Sequence, residues 1–215
     1  MIVLGLSEGY HDAGACLIED GEILSATHAE RLSRKKNDRW LHPKQKHLKK
    51  LAHKVSFFEK NWLKFSRQLY SGQKQLTDFK LSEYEYSHYH HESHAAAGFY
   101  TSKFDKCNIL VIDAIGEWDT VSVWEGWTSW NRPKMKKVWS RKYPYSIGLF
   151  YSAITKAIGL KPQEDEYITM GMAAFGEPKY YDEYKEILDY HNCHRGMPKV
   201  LKGYPNDIAA SAQLL

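Results

Sequence analysis

The chain has 215 residues, 43% of them hydrophobic and 26% charged, the balance of a soluble globular protein long enough to bury a proper core. No apolar run approaches the length of a membrane span, and the three cysteines (Cys16, Cys107 and Cys193) are scattered without a C-x-x-C pair, which argues against a helical membrane protein and a disulfide framework. The net charge of +4 hides an asymmetry: residues 31–80 carry 15 Lys or Arg against 3 Asp or Glu, leaving the remainder acidic. With no basic stretch or cleavage site ahead of the first strand-like residues, no secretory signal and a reduced, cytoplasmic setting are expected.

In chain order, Ile2–Ser7 reads as a buried strand, followed by a polar turn over 9–14. Ala15–Glu19 and Glu22–Ala29 read as two further strands joined by Asp20-Gly21, a strong hairpin signal between apolar runs. Residues 43–70 are expected to be mainly helical: Pro43 suits a helix start, and apolar residues at 48, 51, 55, 58, 62 and 65 recur at helical spacing. Residues 71–85 read as loop. An alanine-rich helix is expected over 90–100, a buried strand over Asn108–Asp113, and further strands at Thr120–Trp127 and Lys136–Trp139. Residues 146–159 read as a helix with Ser146 as N-cap and Gly159 as its stop. Shorter helices are expected over Tyr167–Phe175 and Asp182–Tyr190, and another starting at Asp207, where the chain looks cut inside an element. Pro144 and Pro162 punctuate loops.

Two segments carry the most chemical information. In a helix over 90–100, His90 and His94 lie one turn apart on one face. Asp113 lies at the end of the apolar strand. Two imidazoles and a carboxylate converging at a strand end can hold a divalent metal and leave positions open for a ligand. Spacing alone is weak, because in a chain with 11 His about half a pair four apart arises by chance. The alternative is a surface helix whose histidines titrate near neutrality and bind nothing. His88 and His91 read as solvent-facing rather than as ligands.

The basic segment interleaves with Trp40, Phe57, Phe58, Trp62, Phe65 and Tyr70. That composition fits a nucleic-acid surface or a phosphate-attracting rim. It also fits the solvated face of amphipathic helices with the aromatics as core, and the helical spacing favours this second reading.

Seven blocks, in order, resemble the carbamoyltransferase family that includes the nodulation protein NodU and the antibiotic O-carbamoyltransferases, whose first domain is similar to the Kae1 protein of tRNA threonylcarbamoyladenosine synthesis. They are Ile2–Ser7 with His11-Asp12-Ala-Gly-Ala, Ala29–Lys36, His90–Tyr100, Ile112–Glu117, Ser146–Tyr151, Glu166–Gly176 and Asp207–Gln213. The resemblance implies an α/β fold of the ribonuclease-H-like, actin-like ATPase type: a single Kae1-like N-terminal lobe over 1–215, a mixed sheet flanked by helices, with the second lobe missing. It implies that His90, His94 and Asp113 bind a metal, usually iron. It places His11 and Asp12 beside the acceptor hydroxyl, with His11 as candidate general base, and Lys36 on the carbamoyl or phosphate group. It assigns Gly116 and Glu117, Ser146 and Gly148, and the Met170-Gly171 turn to nucleotide-facing loops.

The implied reaction uses ATP and carbamoyl phosphate to make carbamoyl adenylate, then passes the carbamoyl group to a small-molecule hydroxyl acceptor. A companion chain or further segment would supply the second lobe and a YrdC-like domain. Three departures from the family pattern stand out. Ala114 replaces a glycine and would be strained if that position needs φ > 0. Ile168 replaces a lysine, and Asn37 replaces a histidine. Two rival readings are a non-catalytic nucleotide- or metal-binding remnant serving as a scaffold, and a nucleic-acid-binding module built on 31–80.

Overall fold

The computed structural model describes residues 1–9, 11–60, 86–130, 132–143 and 145–182. The expectations for 61–85, for Pro144, for all but the first residue of the 182–190 helix and for the Asp207 segment lie outside them. The chain divides into two compact units, Met1–His94 and Ala95–Leu215.

The first unit opens with the apolar run over residues 2–6 as a strand, as expected. Strands β1 (Ile2–Ser7), β2 (Gly14–Glu19) and β3 (Glu22–His28) form an antiparallel run. The β2–β3 connection is the expected Asp20-Gly21 turn, and both residues take left-handed φ, 49° and 97°. Asp and Gly tolerate that region at little cost, and its twist matches the flanking strands. Two short helical pieces follow: α1 (Ala29–Ser33) and α2 (Pro43–His47), the latter running into a single 3-10 turn at Leu48–Lys50. A reciprocal capping box starts α2: His42 Nδ1 accepts from the Lys44 amide and Gln45 Oε1 accepts from the His42 amide.

The helix expected over 43–70 does not continue. Lys54–Phe57 is strand β4, parallel to β1, and a two-residue strand β5 (Tyr86–Ser87) pairs parallel to it. The sheet order is β3-β2-β1-β4-β5. The 3.6-residue spacing of apolar residues was coincidental there. Leu51 is exposed, whereas Phe57, which is outside that series, is almost wholly buried with Leu4, Leu6, Ala13, Ala15, Leu17, Ala29 and Leu41. A β-sheet slot between β1 and β5 outweighs helical propensity in so short a segment, because it pairs the backbone and buries the ring together.

Helix α3 (His90–Tyr100) begins in the first unit, where the Ser93 hydroxyl donates to the Phe58 carbonyl at 2.6 Å. In the second unit, β6 (Lys106–Gly116), β7 (Asp119–Ser129) and β8 (Arg132–Lys142) make an antiparallel sheet in that order. Ala95, Val111 and Trp124 form a small core with Ile109 and Met135 packed against it. Helix and sheet approach closely at Gly126, where a Cβ would stand 2.9 Å from the Phe99 ring.

β6 is longer than expected and is not buried throughout: Leu110 and Ile112 are exposed, while Val111 between them is buried. One-sided burial of an antiparallel sheet gives that alternation. Helix α4 (Ile147–Ala157) follows, with Ser146 as the N-cap and Gly159 just beyond its end at φ 88°. Helix α5 (Glu166–Ala173) is joined to it by a Thr155–Thr169 hydroxyl contact of 3.0 Å and a Ser152–Glu166 hydrogen bond. The chain is thus α/β, with a mixed sheet flanked by helices. Among the described residues no helix is long and apolar enough to cross a membrane.

Candidate active site

The candidate residues fall in both units, and each group takes its geometry from its own unit. In the first, the turn after β1 projects His11 and Asp12 into solvent. His11 Nδ1 lies 2.6 Å from Asp12 Oδ2, and Asp12 adopts φ 49°, a conformation Asp accepts more readily than most residues. With Nδ1 donating to the carboxylate, the lone pair sits on Nε2. An imidazole so held can take a proton from a hydroxyl placed within reach.

The turn is clasped at both shoulders by the segment that carries Lys36. The Gly9 amide donates to the Arg39 carbonyl and the Ala13 amide to the Asp38 carbonyl, each at 2.8 Å. The Arg39 guanidinium also reaches the Gly9 carbonyl at 3.4 Å. Glu8, almost buried, accepts from the Leu41 amide at 3.0 Å and pairs with Lys46 at 3.8 Å. Asp38, also buried, accepts from Trp40; hydrogen bonds from the Ser33 side chain and the Trp40 amide hold its carboxyl below the usual range, with Lys35 and His42 adding a smaller electrostatic pull. Lys36 is exposed at the tip of this segment, beside Asn37 at φ 54°. The expected partners His11, Asp12 and Lys36 therefore lie on two segments tied by backbone hydrogen bonds.

At the start of α3, His90 Nε2 and His94 Nε2 face each other at 3.0 Å. Metal–nitrogen bonds of about 2.0–2.1 Å meeting at tetrahedral or octahedral angles put two nitrogens about 2.8–3.4 Å apart. The donor pair fits a shared cation. Glu59, which motif spacing did not flag, stands behind His90, with Oε2 at 3.3 Å from its Nδ1. His88 is half-exposed and pairs with Glu92, as expected of a surface histidine. His91 corrects the expectation: it is 1% exposed. The helix turns it about 100° from His90, which is enough to move it from the rim into the interior.

In the second unit, Asp113 ends the regular β6–β7 pairing and accepts from the Ala114 amide at 2.6 Å. Gly116 pairs with Asp119 around the Glu117-Trp118 turn, and Glu117, 5% exposed, is the left-handed residue of that stretch at φ 56°. Ala114 lies in the strand and has no positive φ, so the strain considered for it does not arise.

Ser146 donates to the Ala114 carbonyl at 2.7 Å and accepts from the Leu149 amide at 3.0 Å. A Cβ on Gly148 would stand 2.7 Å from Ala114 Cα. Both residues thus dock the start of α4 against the backbone that follows Asp113. Met170 and Gly171 form no turn; both lie inside α5 and are exposed, because the 166–173 backbone closes regular helical bonds through them. Cys16 is half-buried on β2, and burial pushes its thiol up, away from nucleophilic service.

Comparison with known proteins agrees with the earlier resemblance. A family model described as carbamoyltransferase N-terminus matches residues 58–213. An uncharacterised protein of Synechocystis sp. (sll1178) is 33% identical over an alignment of 224 residues covering 84% of this chain and 35% of the relative. An uncharacterised protein of Methanocaldococcus jannaschii (MJ1051) is 30% identical over 200 residues, covering 89% of this chain and 37% of the relative. The chain therefore spans little more than a third of the length of these relatives. By the extent of the model match, the chain belongs to the carbamoyltransferase N-terminal family.

Proposed function

We propose that this chain is the N-terminal part of an ATP- and metal-dependent O-carbamoyltransferase. It acts with a second lobe and a YrdC-like domain, carried on a companion chain or further segment, in which carbamoyl phosphate and ATP give carbamoyl adenylate. The observation that carries the reading is the His90–His94 pair, with two Nε2 atoms 3.0 Å apart. Asp113 is proposed as the third ligand. In support, Ala95, which follows His94 in the chain, packs with Val111, two residues before Asp113 on β6. The sheet order β3-β2-β1-β4-β5, three antiparallel strands then two parallel ones, supports a ribonuclease-H-like lobe.

A metal bound there, iron in first place, supplies positive charge against nucleotide phosphate. The residues of this chain do the rest. His11 Nε2 takes the proton of the acceptor hydroxyl as its oxygen attacks the carbamoyl carbon. Asp12 holds the ring through Nδ1 and stabilises the imidazolium. The C–O bond to AMP breaks, and AMP leaves with the electron pair. Lys36 steadies the carbamoyl oxygen or the phosphate as charge develops. Gly116, Glu117, Ser146, Gly148, Met170 and Gly171 remain the proposed nucleotide-side positions; of these, Ser146 and Gly148 act through the placement of the β6 end. The setting is cytoplasmic.

The test uses this chain with the remaining domains. Metal analysis is expected to find one equivalent of iron or a substitute divalent ion, lost in His90→Ala and Asp113→Asn. AMP release from ATP and carbamoyl phosphate is expected to depend on an added hydroxyl acceptor and to fall in His11→Asn. A preparation with no bound metal and no acceptor-dependent AMP release rejects the reading.

A further inference from the structure

We infer that Glu59 is a positioning residue for the histidine pair: its carboxylate accepts the Nδ1–H of His90, fixes that ring's tautomer and aims its Nε2 lone pair at the site shared with His94. The inference rests on the metal reading above. The Glu59 side chain is 3% exposed and that of His90 14%, with Oε2 and Nδ1 at 3.3 Å. A carboxylate so buried is costly unless a donor faces it. An imidazole has two nitrogens, and when one donates to a carboxylate the other carries the lone pair.

The surroundings leave the ring little freedom. The Phe58 ring meets His90 edge-on, with centroids 5.2 Å apart. Ser93, one helical turn along, ties α3 to the Phe58 carbonyl. Glu59 follows Phe58 directly, so that hydrogen bond ties the helix start to the segment that carries the carboxylate. The result is a relay running from Glu59 through His90 to the Nε2 of His94 at 3.0 Å. A carboxylate behind a ligating histidine both orients it and raises its basicity, and its loss typically weakens metal binding by about 10–100-fold.

The experiment is equilibrium dialysis of the full 215-residue chain against Zn2+ and Fe2+, comparing wild type with Glu59→Gln and Glu59→Asp, alongside 15N NMR of the histidine ring nitrogens without metal. The expected result is an Nδ1–H tautomer at His90 in the wild type, a mixture of tautomers in the variants, and affinity about 10–100-fold weaker in Glu59→Gln with an unchanged unfolding midpoint. Equal affinity in wild type and Glu59→Gln overturns the assignment. So does an Nε2–H tautomer of His90 in the wild type, a measurement that needs no variant to fold. If the wild type binds neither ion, the metal reading falls, and the assignment of Glu59 is then decided by the tautomer alone.

Discussion

The Leu41 amide donates to Glu8 Oε1 at 3.0 Å, closing a buried bond across 33 residues of chain. It joins the end of β1 to the entry of α2 and holds the segment carrying Lys36 against the His11 turn. Replacing Glu8 with Ala strands a buried N–H, which costs about 1–3 kcal/mol. Gln keeps an acceptor and costs less, losing the 3.8 Å attraction to Lys46, which is small at a half-exposed lysine. Urea unfolding midpoints are expected in the order wild type, Glu8→Gln, Glu8→Ala; equal midpoints for all three would show the bond to be idle.

Asp38 links that clasp to pH. Its folded carboxyl value is lowered, first by the Ser33 hydrogen bond and then by the Trp40 amide. The charged form is thus favoured in the native state, so its stabilising contribution is complete above the ordinary Asp value of about 3.9 and fades as pH falls through the lower folded value. Wild type minus Asp38→Asn stability, measured by denaturant titration, is expected to be constant near neutrality and to shrink on acidification. A gap that widens toward acid would reverse the assignment.

Two glycines should respond with opposite sign to alanine. At Gly148 the new Cβ meets Ala114 Cα at 2.7 Å and its amide nitrogen at 2.8 Å, backbone atoms that cannot swing aside. At Gly98, inside α3, a Cβ meets nothing within 4 Å. Gly148→Ala is expected to cost about 1–3 kcal/mol through overpacking. Gly98→Ala is expected to gain about 0.5–1 kcal/mol from reduced backbone entropy. Thermal denaturation of the two variants checks both signs at once.

On the function proposed above, the His11–Asp12 contact of 2.6 Å is expected to bear on rate rather than folding, because both side chains are substantially exposed. Asp12→Asn is expected to reduce kcat for carbamoyl transfer by about 10²–10⁴-fold, the usual scale of general-base catalysis, because the His11 base loses the carboxylate that orients it. KM for the acceptor and the unfolding midpoint should move little. A changed KM with unchanged kcat would make Asp12 a binding residue instead.

Local chemistry made much of this protein legible in advance. Asp20-Gly21 announced its hairpin because few other residue pairs accept that backbone. Ser146 announced the start of α4 because a hydroxyl there can satisfy an exposed helix amide. His90 and His94 were legible as a pair because helical periodicity alone puts residues four apart on one face. Where the text misled, a partner distant in sequence intervened: β1 recruited residues 54–57 into a strand, and the interior claimed His91.

What the sequence by itself determined was the Asp20-Gly21 turn, the Ser146 cap and the shared face of His90 and His94, since these depend on interactions within a few residues. Only the tertiary structure decided that Glu59 stands behind His90, that carbonyls of residues 38 and 39 grip the His11 turn, and that Ser146 and Gly148 seat a helix on the end of β6. Those contacts join residues some 25 to 35 positions apart, and their geometry follows from strand pairing and packing, which no local pattern encodes.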